Sequence, residues 1–232
     1  MNIKYAKYLL KKTTDDYNRI APLFSRTRDY LPEDIIALKQ YVKPKSHVLD
    51  LGCGNGRLSE LFQNDGVSYT GVDVSENLIN IAQERYPSAA FQVSDPLKTT
   101  FSDNSFDVIF NLAVFHHIPS TELRIAYLKE IRRILKPKGK LVFTVWNLWA
   151  RKGMFWTVLK YGFFYPKLDL NDIFLPFRKK DGTSLADRYI HCFRIEELDK
   201  LFMEAGFRIL KMENQRRGRK AENENILIIA EK

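Results

Sequence analysis

The sequence predicts an α/β protein built on a mostly parallel sheet with helices on both faces, and two observations carry that expectation. Between Ser46 and Asn147, short β-branched runs alternate with segments whose apolar residues recur every three to four positions. The first of those runs breaks off in a glycine-rich turn, VLDLGCGNGR from Val48 to Arg57, which opens into a helix near Arg57. Such alternation implies right-handed strand–helix–strand units and hence parallel strands. A chain of 232 residues with 45% hydrophobic content buries one sizeable core, so a single domain over 1–232 is expected.

Taken in order, residues 1–45 read as a helical cap: DDYNRIAPLFSRTRDY has helical spacing, and Pro32 interrupts it before EDIIALKQYV. Residues 46–150 form the core. Its strands are SHVLDL, VSYTGVD, AAFQVSD, SFDVIFNLAV and GKLVFTVWN, bounded by Gly, Pro, Asp and Ser, with SENLINIAQERY and TELRIAYLKEIRRIL as amphipathic helices between them. Residues 151–187 are an aromatic and basic insertion in which Met154, Phe155, Trp156, Phe163 and Phe164 cover the sheet, close over a substrate or meet a partner. Residues 188–232 close with the helix IEELDKLFMEAG and a strand pair, FRILKMEN and ENILIIAEK, joined by the basic turn QRRGRKAE. Five core strands and this pair make seven.

Composition narrows the function classes. No apolar run approaches the ~20 residues of a spanning helix and no secretory leader is evident, so a soluble, cytosolic protein is expected. Cys53 and Cys192 are the two cysteines, and neither belongs to a cluster of metal-ligand spacing, so no disulfide framework and no metal site is expected. A net charge of +9 favours a polyanionic partner.

The glycine-rich turn carries the chemistry. Gly52, Gly54 and Gly56 remove Cβ atoms where backbone must approach a ligand, and the N–H groups that follow can bind a carboxylate or phosphate. Asp73 ends the next strand, placed to bond both hydroxyls of a ribose. A nicotinamide-binding fingerprint reads G-x-G-x-x-G, whereas this turn reads G-x-G-x-G.

The DLGCGNG wording resembles the class I S-adenosylmethionine-dependent methyltransferases over roughly Val48 to Asn147. That resemblance implies a Rossmann-like, seven-stranded sheet whose last strand is antiparallel. It also implies that Asp50 and the three glycines line the methionine end of the cofactor, Asp73 holds its ribose and Asp95 sits by its adenine. Asn111, ending the fourth strand, would lie beneath the cofactor and face the substrate, and His116 and His117 would follow at the carboxyl edge of the sheet.

Outside that core, YNRIAPLFSRTRDYLP (Tyr17 to Pro32) and DRYIHCFRIEEL (Asp187 to Leu198) resemble the flanking motifs of the eukaryotic tRNA wobble-uridine methyltransferases, which esterify a carboxymethyl group. The similarity continues through LAVFHHIPSTELR and KPKGKLVFTVW. It implies an acceptor pocket lined by Tyr17, Arg26, Arg28, His116, His117, Arg188, Tyr189, His191 and Arg194, a tRNA anticodon stem-loop as substrate, and a small zinc-binding activator protein as partner. Tyr189 and His191, two apart, share one face of a strand. An acceptor carboxylate is anionic at neutral pH and needs placement rather than a general base, which suits the planar fork of arginine. Arg178, Lys179, Lys180, Arg216, Arg217, Arg219 and Lys220 are candidates for phosphate contacts. Two alternatives stay open: a methyltransferase acting on a lipid, quinone-like or other small acceptor, and a non-catalytic scaffold.

Overall fold

A computed structural model describes residues 1–63, 66–216 and 224–232. The strands β1 (His47–Leu51), β2 (Ser68–Asp73), β3 (Ala90–Val93), β4 (Phe106–Leu112) and β5 (Leu135–Trp146) form the parallel part of one sheet. β8 (Arg208–Arg216) and β9 (Glu224–Glu231) complete it in the order β3-β2-β1-β4-β5-β9-β8, with β9 antiparallel to both neighbours. The strand order reverses at β1 and β4, which opens a crevice beyond their carboxyl ends.

Both faces of the sheet are covered, and successive residues divide between them. Leu49, Ile109 and Phe143 face a core built with Tyr127, Leu128 and Ile131 of α4 (Thr121–Ile134) and Leu198, Leu201 and Phe202 of α6 (Ile195–Glu204). Their neighbours Val48, Phe110 and Val142 face the opposite core, with Ile79 and Ala82 of α3 (Glu76–Arg85). This is why the central strands read as unbroken apolar runs rather than alternating ones. Ser75 and Ser120 start α3 and α4 by accepting hydrogen bonds from Leu78 and Leu123 N–H.

The amino-terminal cap is one long helix, α1 (Ile3–Arg26), followed by the short α2 (Glu33–Ile36). It begins well before the periodic stretch at Asp15 because Asn2 accepts from Lys4 N–H and Ala6 and Leu9 already face the core. The expected helix at Arg57 is instead a 3₁₀ turn, Arg57–Phe62. There the Ser59 amide and hydroxyl both donate to the Gly56 carbonyl, at 3.0 and 2.8 Å, closing the shorter hydrogen-bonded ring.

The insertion has structure of its own: α5 (Met154–Phe164), then a hairpin of β6 (Asp172–Arg178) and β7 (Ser184–His191), a second sheet apart from the first. β7 runs straight across position 188, so the closing segment does not begin at a break there.

Candidate active site

The crevice at the β1/β4 reversal is a cavity of about 430 Å³. Its floor is the glycine-rich turn and the ends of β2, β3 and β4, and α1 walls it with Leu10, Thr13, Thr14, Tyr17 and Phe24. The turn's shape depends on missing side chains. Gly52 has φ +87° and a Cβ there would lie 2.3 Å from Val114 Cγ2, while Gly56 has φ +78° and a Cβ would lie 2.7 Å from Phe91 Cζ. Gly54, like Gly52, lines the cavity, whereas Gly56 sits behind it against Phe91 and Ala82.

Asp73 accepts from Gly54 N–H and Ser75 N–H, both at 2.9 Å, so the carboxylate at the end of β2 sets the turn facing it. Burial pushes its carboxyl upward against those bonds. Asp50, beneath the turn, accepts from the Tyr69 hydroxyl at 2.8 Å, and burial pushes its carboxyl up to about 7. Asp95 lies on the cavity rim, where its Oδ1 also accepts from Leu97 N–H at 2.9 Å and shapes a turn. The set of a bent glycine turn, a buried carboxylate at the next strand's end and an apolar wall fits a nucleoside cofactor that carries an amino acid.

Asn111 does not face the cavity. It is fully buried, donating to the Leu51 carbonyl at 2.8 Å and to the Tyr127 hydroxyl at 2.5 Å, so it props the peptide just before Gly52 from behind. Nor does His116 line the cavity: its ring is buried and stacked on Trp146, centroids 4.4 Å apart, and burial holds it neutral.

Tyr17, His117 and Trp146 cluster on the cavity wall, and Arg28 lines it beside the turn, where its carbonyl accepts from Asn55 at 2.9 Å. His117 Nδ1–H donates to the Tyr189 carbonyl at 2.8 Å, which leaves Nε2 to accept from the Tyr17 hydroxyl at 2.8 Å. Burial lowers this imidazole to about 3, in keeping with an uncharged ring that accepts at Nε2. Behind them Arg188 is only 6% exposed, its guanidinium 5.4 Å from the Trp146 ring and 5.2 Å from Phe177. Its Nε has no hydrogen-bond partner, and it lies close enough to the Tyr17 hydroxyl to ease that group's ionisation, although burial dominates.

The ion pairs near Arg188 run elsewhere. Fully buried Arg124 approaches Asp172 and Glu197 at 3.5 Å, His191 bonds Asp172 through Nδ1 at 2.6 Å and Glu197 through Nε2 at 2.8 Å, and the Tyr189 hydroxyl donates to Asp172 at 2.7 Å. Burial works against it, yet His191 and Arg124 together hold the Glu197 carboxyl below its ordinary range. None of these pairs reaches Arg188 among the described residues.

Tyr189 and His191 do share one face of β7, but that face turns to Asp172 and away from the cavity. Arg194 is exposed at the start of α6 and stacks over Trp149, 4.3 Å from its ring, and Arg26 is exposed at the end of α1; neither reaches the cavity. Arg28 does, with its guanidinium 5.1 Å from the Phe24 ring. Arg217, Arg219 and Lys220 lie outside the described residues, as does the side chain of Arg216. Sequence reasoning missed Trp146, which joins the cavity to Arg188, and Arg124, Asp172 and Glu197, which hold β7 in place.

A family model described as a methyltransferase domain matches residues 49–143. The tRNA (carboxymethyluridine(34)-5-O)-methyltransferase of Schizosaccharomyces pombe is 31% identical over 209 residues, covering 84% of this chain and 88% of that protein. The same-named enzyme ALKBH8 of Macaca fascicularis is 38% identical over 132 residues, 57% of this chain and 19% of that protein. The chain spans less than a third of the length of the vertebrate relatives it matches. Among solved structures, an S-adenosylmethionine-dependent methyltransferase from Methanosarcina mazei superposes with a TM-score of 0.73 at 25% identity, covering 84% of this chain and 96% of that one.

Proposed function

The chain belongs to the S-adenosylmethionine-dependent methyltransferases, in the family of the tRNA carboxymethyluridine methyltransferases, and from that premise we propose that it methyl-esterifies a carboxymethyl group on the wobble uridine of tRNA. The observation that carries this reading is Arg188: a buried guanidinium just behind the cavity wall, against the ring of Trp146 that lines it and held between two aromatic rings, with no carboxylate of its own among the described residues. A buried cation is costly unless paired, so an anionic group of the acceptor is its natural counterion.

In this reading Asp73 takes the ribose hydroxyls, the turn from Gly52 to Gly54 receives the amino-acid end above Asp50, and Asp95 borders the adenine. Bound there, S-adenosylmethionine supplies a methyl group on a sulfonium centre, open to attack by an anion. The chain then has no proton to remove. Neutral His117 orients Tyr17, Arg28 meets the acceptor on the cavity wall, and Arg188 supplies the counter-charge from behind the ring of Trp146, which shields the acceptor from water. Phosphate contacts fall to the hairpin tip, Arg178, Lys179 and Lys180, and to the exposed face of α1 with Lys4, Lys11, Arg19 and Arg26.

The test is to incubate the protein with labelled cofactor and tRNA bearing the carboxymethyl group, and to identify the methylated nucleoside by mass spectrometry. Label confined to small metabolites would overturn the assignment in favour of a small-molecule acceptor. The same assay with and without a small zinc-binding activator protein measures how far methyl transfer depends on that partner.

A further inference from the structure

The outer face of α5 is left bare by the fold. Its inner residues Met154 and Val158 pack with Leu148, Ile173 and Ile190, and the Tyr161 hydroxyl donates to the Phe174 carbonyl at 3.0 Å, fixing the helix to β6. Phe155, Trp156, Leu159, Phe163 and Phe164 point the other way, between 53% and 80% exposed. A contiguous apolar patch of this kind marks a surface that something covers.

Charge narrows the occupant. Residues 151–168 carry four cations, Arg151, Lys152, Lys160 and Lys167, and neither Asp nor Glu, so the partner is anionic as well as apolar. A second copy fits poorly, because a two-fold contact of α5 on α5 would set lysine against lysine. Stacked nucleobases want a flat ring face, whereas Phe155 and Trp156 meet at 78°, Phe163 and Phe164 at 80°, and Leu159 between them has no ring. An anionic bilayer surface accepts both features: rings and leucine enter the boundary below the headgroups while the cations meet lipid phosphates. At 11 residues α5 is too short to span, and no helix among the described residues is long and apolar enough to cross a membrane, so it would lie in the plane of the surface.

We propose that α5 is a peripheral docking helix that seats the protein on an anionic membrane through Phe155, Trp156, Leu159 and Phe163. The inference stands independently of the methyl acceptor. It is tested by co-sedimentation with phosphatidylcholine vesicles containing about one third phosphatidylglycerol, against phosphatidylcholine alone. The wild-type protein is expected to partition onto the anionic vesicles, less so in high salt. The triple substitution Phe155→Ser, Trp156→Ser, Phe163→Ser should lower that partition at least about tenfold while cofactor binding, read by calorimetry, matches wild type. Should that variant fail to fold, the exposed pair Lys152→Gln and Lys160→Gln carries the test, with an expected loss of at least about threefold. Absence of wild-type binding, or binding that survives both sets of substitutions, would overturn the proposal. So would self-association in the ultracentrifuge, or retention of tRNA without lipid, that the same substitutions abolish.

Discussion

Gly52 combines a left-handed backbone with a Cβ position already filled by Val114, so Gly52→Ala meets two penalties at one atom. The backbone conformation alone is worth about 1–2 kcal/mol, and the steric clash displaces the turn that receives the cofactor. The expected result is a lower denaturation midpoint and calorimetric cofactor affinity reduced by at least about tenfold; Val114→Ala should restore part of the midpoint and little of the affinity. Asp50 predicts a pH effect. Its folded carboxyl titrates at about 7, above its unfolded value, so the folded state holds the extra proton and stability falls as pH rises from about 4 through 7. His117 acts oppositely, losing stability as pH falls below about 6.5 because only the unfolded ring takes the proton. Asp50→Asn should therefore flatten the decline between pH 6.5 and 7.5 in urea melts of the cofactor-free protein, a slope of at most about 1.4 kcal/mol per pH unit. For Arg188→Ala the expectation is loss of methyl transfer by at least about a hundredfold with cofactor affinity held within about twofold, measured by single-turnover label transfer and calorimetry. The glycines and Asp73 were legible in the sequence because their meaning lies in short local spacing. Arg188 was legible through resemblance, and Trp146 was not, because a tryptophan ending a strand reads as core until β7 brings a guanidinium to it.

The hairpin of β6 and β7 stands apart from the main sheet and is anchored by a buried charged network as well as by the apolar packing of Ile173 and Ile190. Asp172 on β6 receives Tyr189, His191 and Arg124, which come from β7 and α4, and Glu197 of α6 closes the set. Removing one member of a buried set strands the others, so Asp172→Ala should cost about 3–5 kcal/mol in urea unfolding. Asp15→Ala, which breaks only the exposed pair with Lys11, should cost less than about 1 kcal/mol. Because β7 also carries Arg188, a milder Glu197→Gln variant should weaken methyl transfer more than cofactor binding. The core strands and helices were predictable because short β-branched runs and helical spacing are written within each segment, whatever it later packs against. The network was not. An arginine in an amphipathic helix such as α4 ordinarily faces solvent, and its partners here lie in the insertion and the closing helix. Tyr189 and His191 were pocket candidates through resemblance alone: spacing tells which two share a face, and only the arrival of Asp172 decides where that face points.

At the scale of the whole molecule, the net charge of +9 has a place to act. Arg178, Lys179 and Lys180 at the hairpin tip and the basic face of α1 are exposed, and α1 also walls the cavity. On the proposed function, tRNA affinity should fall steeply with salt, and replacing the three hairpin cations with Gln should shrink the slope of log affinity against log salt by roughly 2–3, as filter binding between low and moderate salt would read. The long first helix completes the enclosure. Asn55 donates to the Ser25 and Arg28 carbonyls, Asn18 bonds Ser75 and Asn77, and Tyr17 holds His117, so α1 is stitched to the turn, to α3 and to the acceptor end at once. That stitching makes the first helix a gate on the cofactor cavity that can be tested: a single cut stitch, Asn18→Ala, should quicken α1 amide exchange and shorten the residence time of S-adenosylhomocysteine in step.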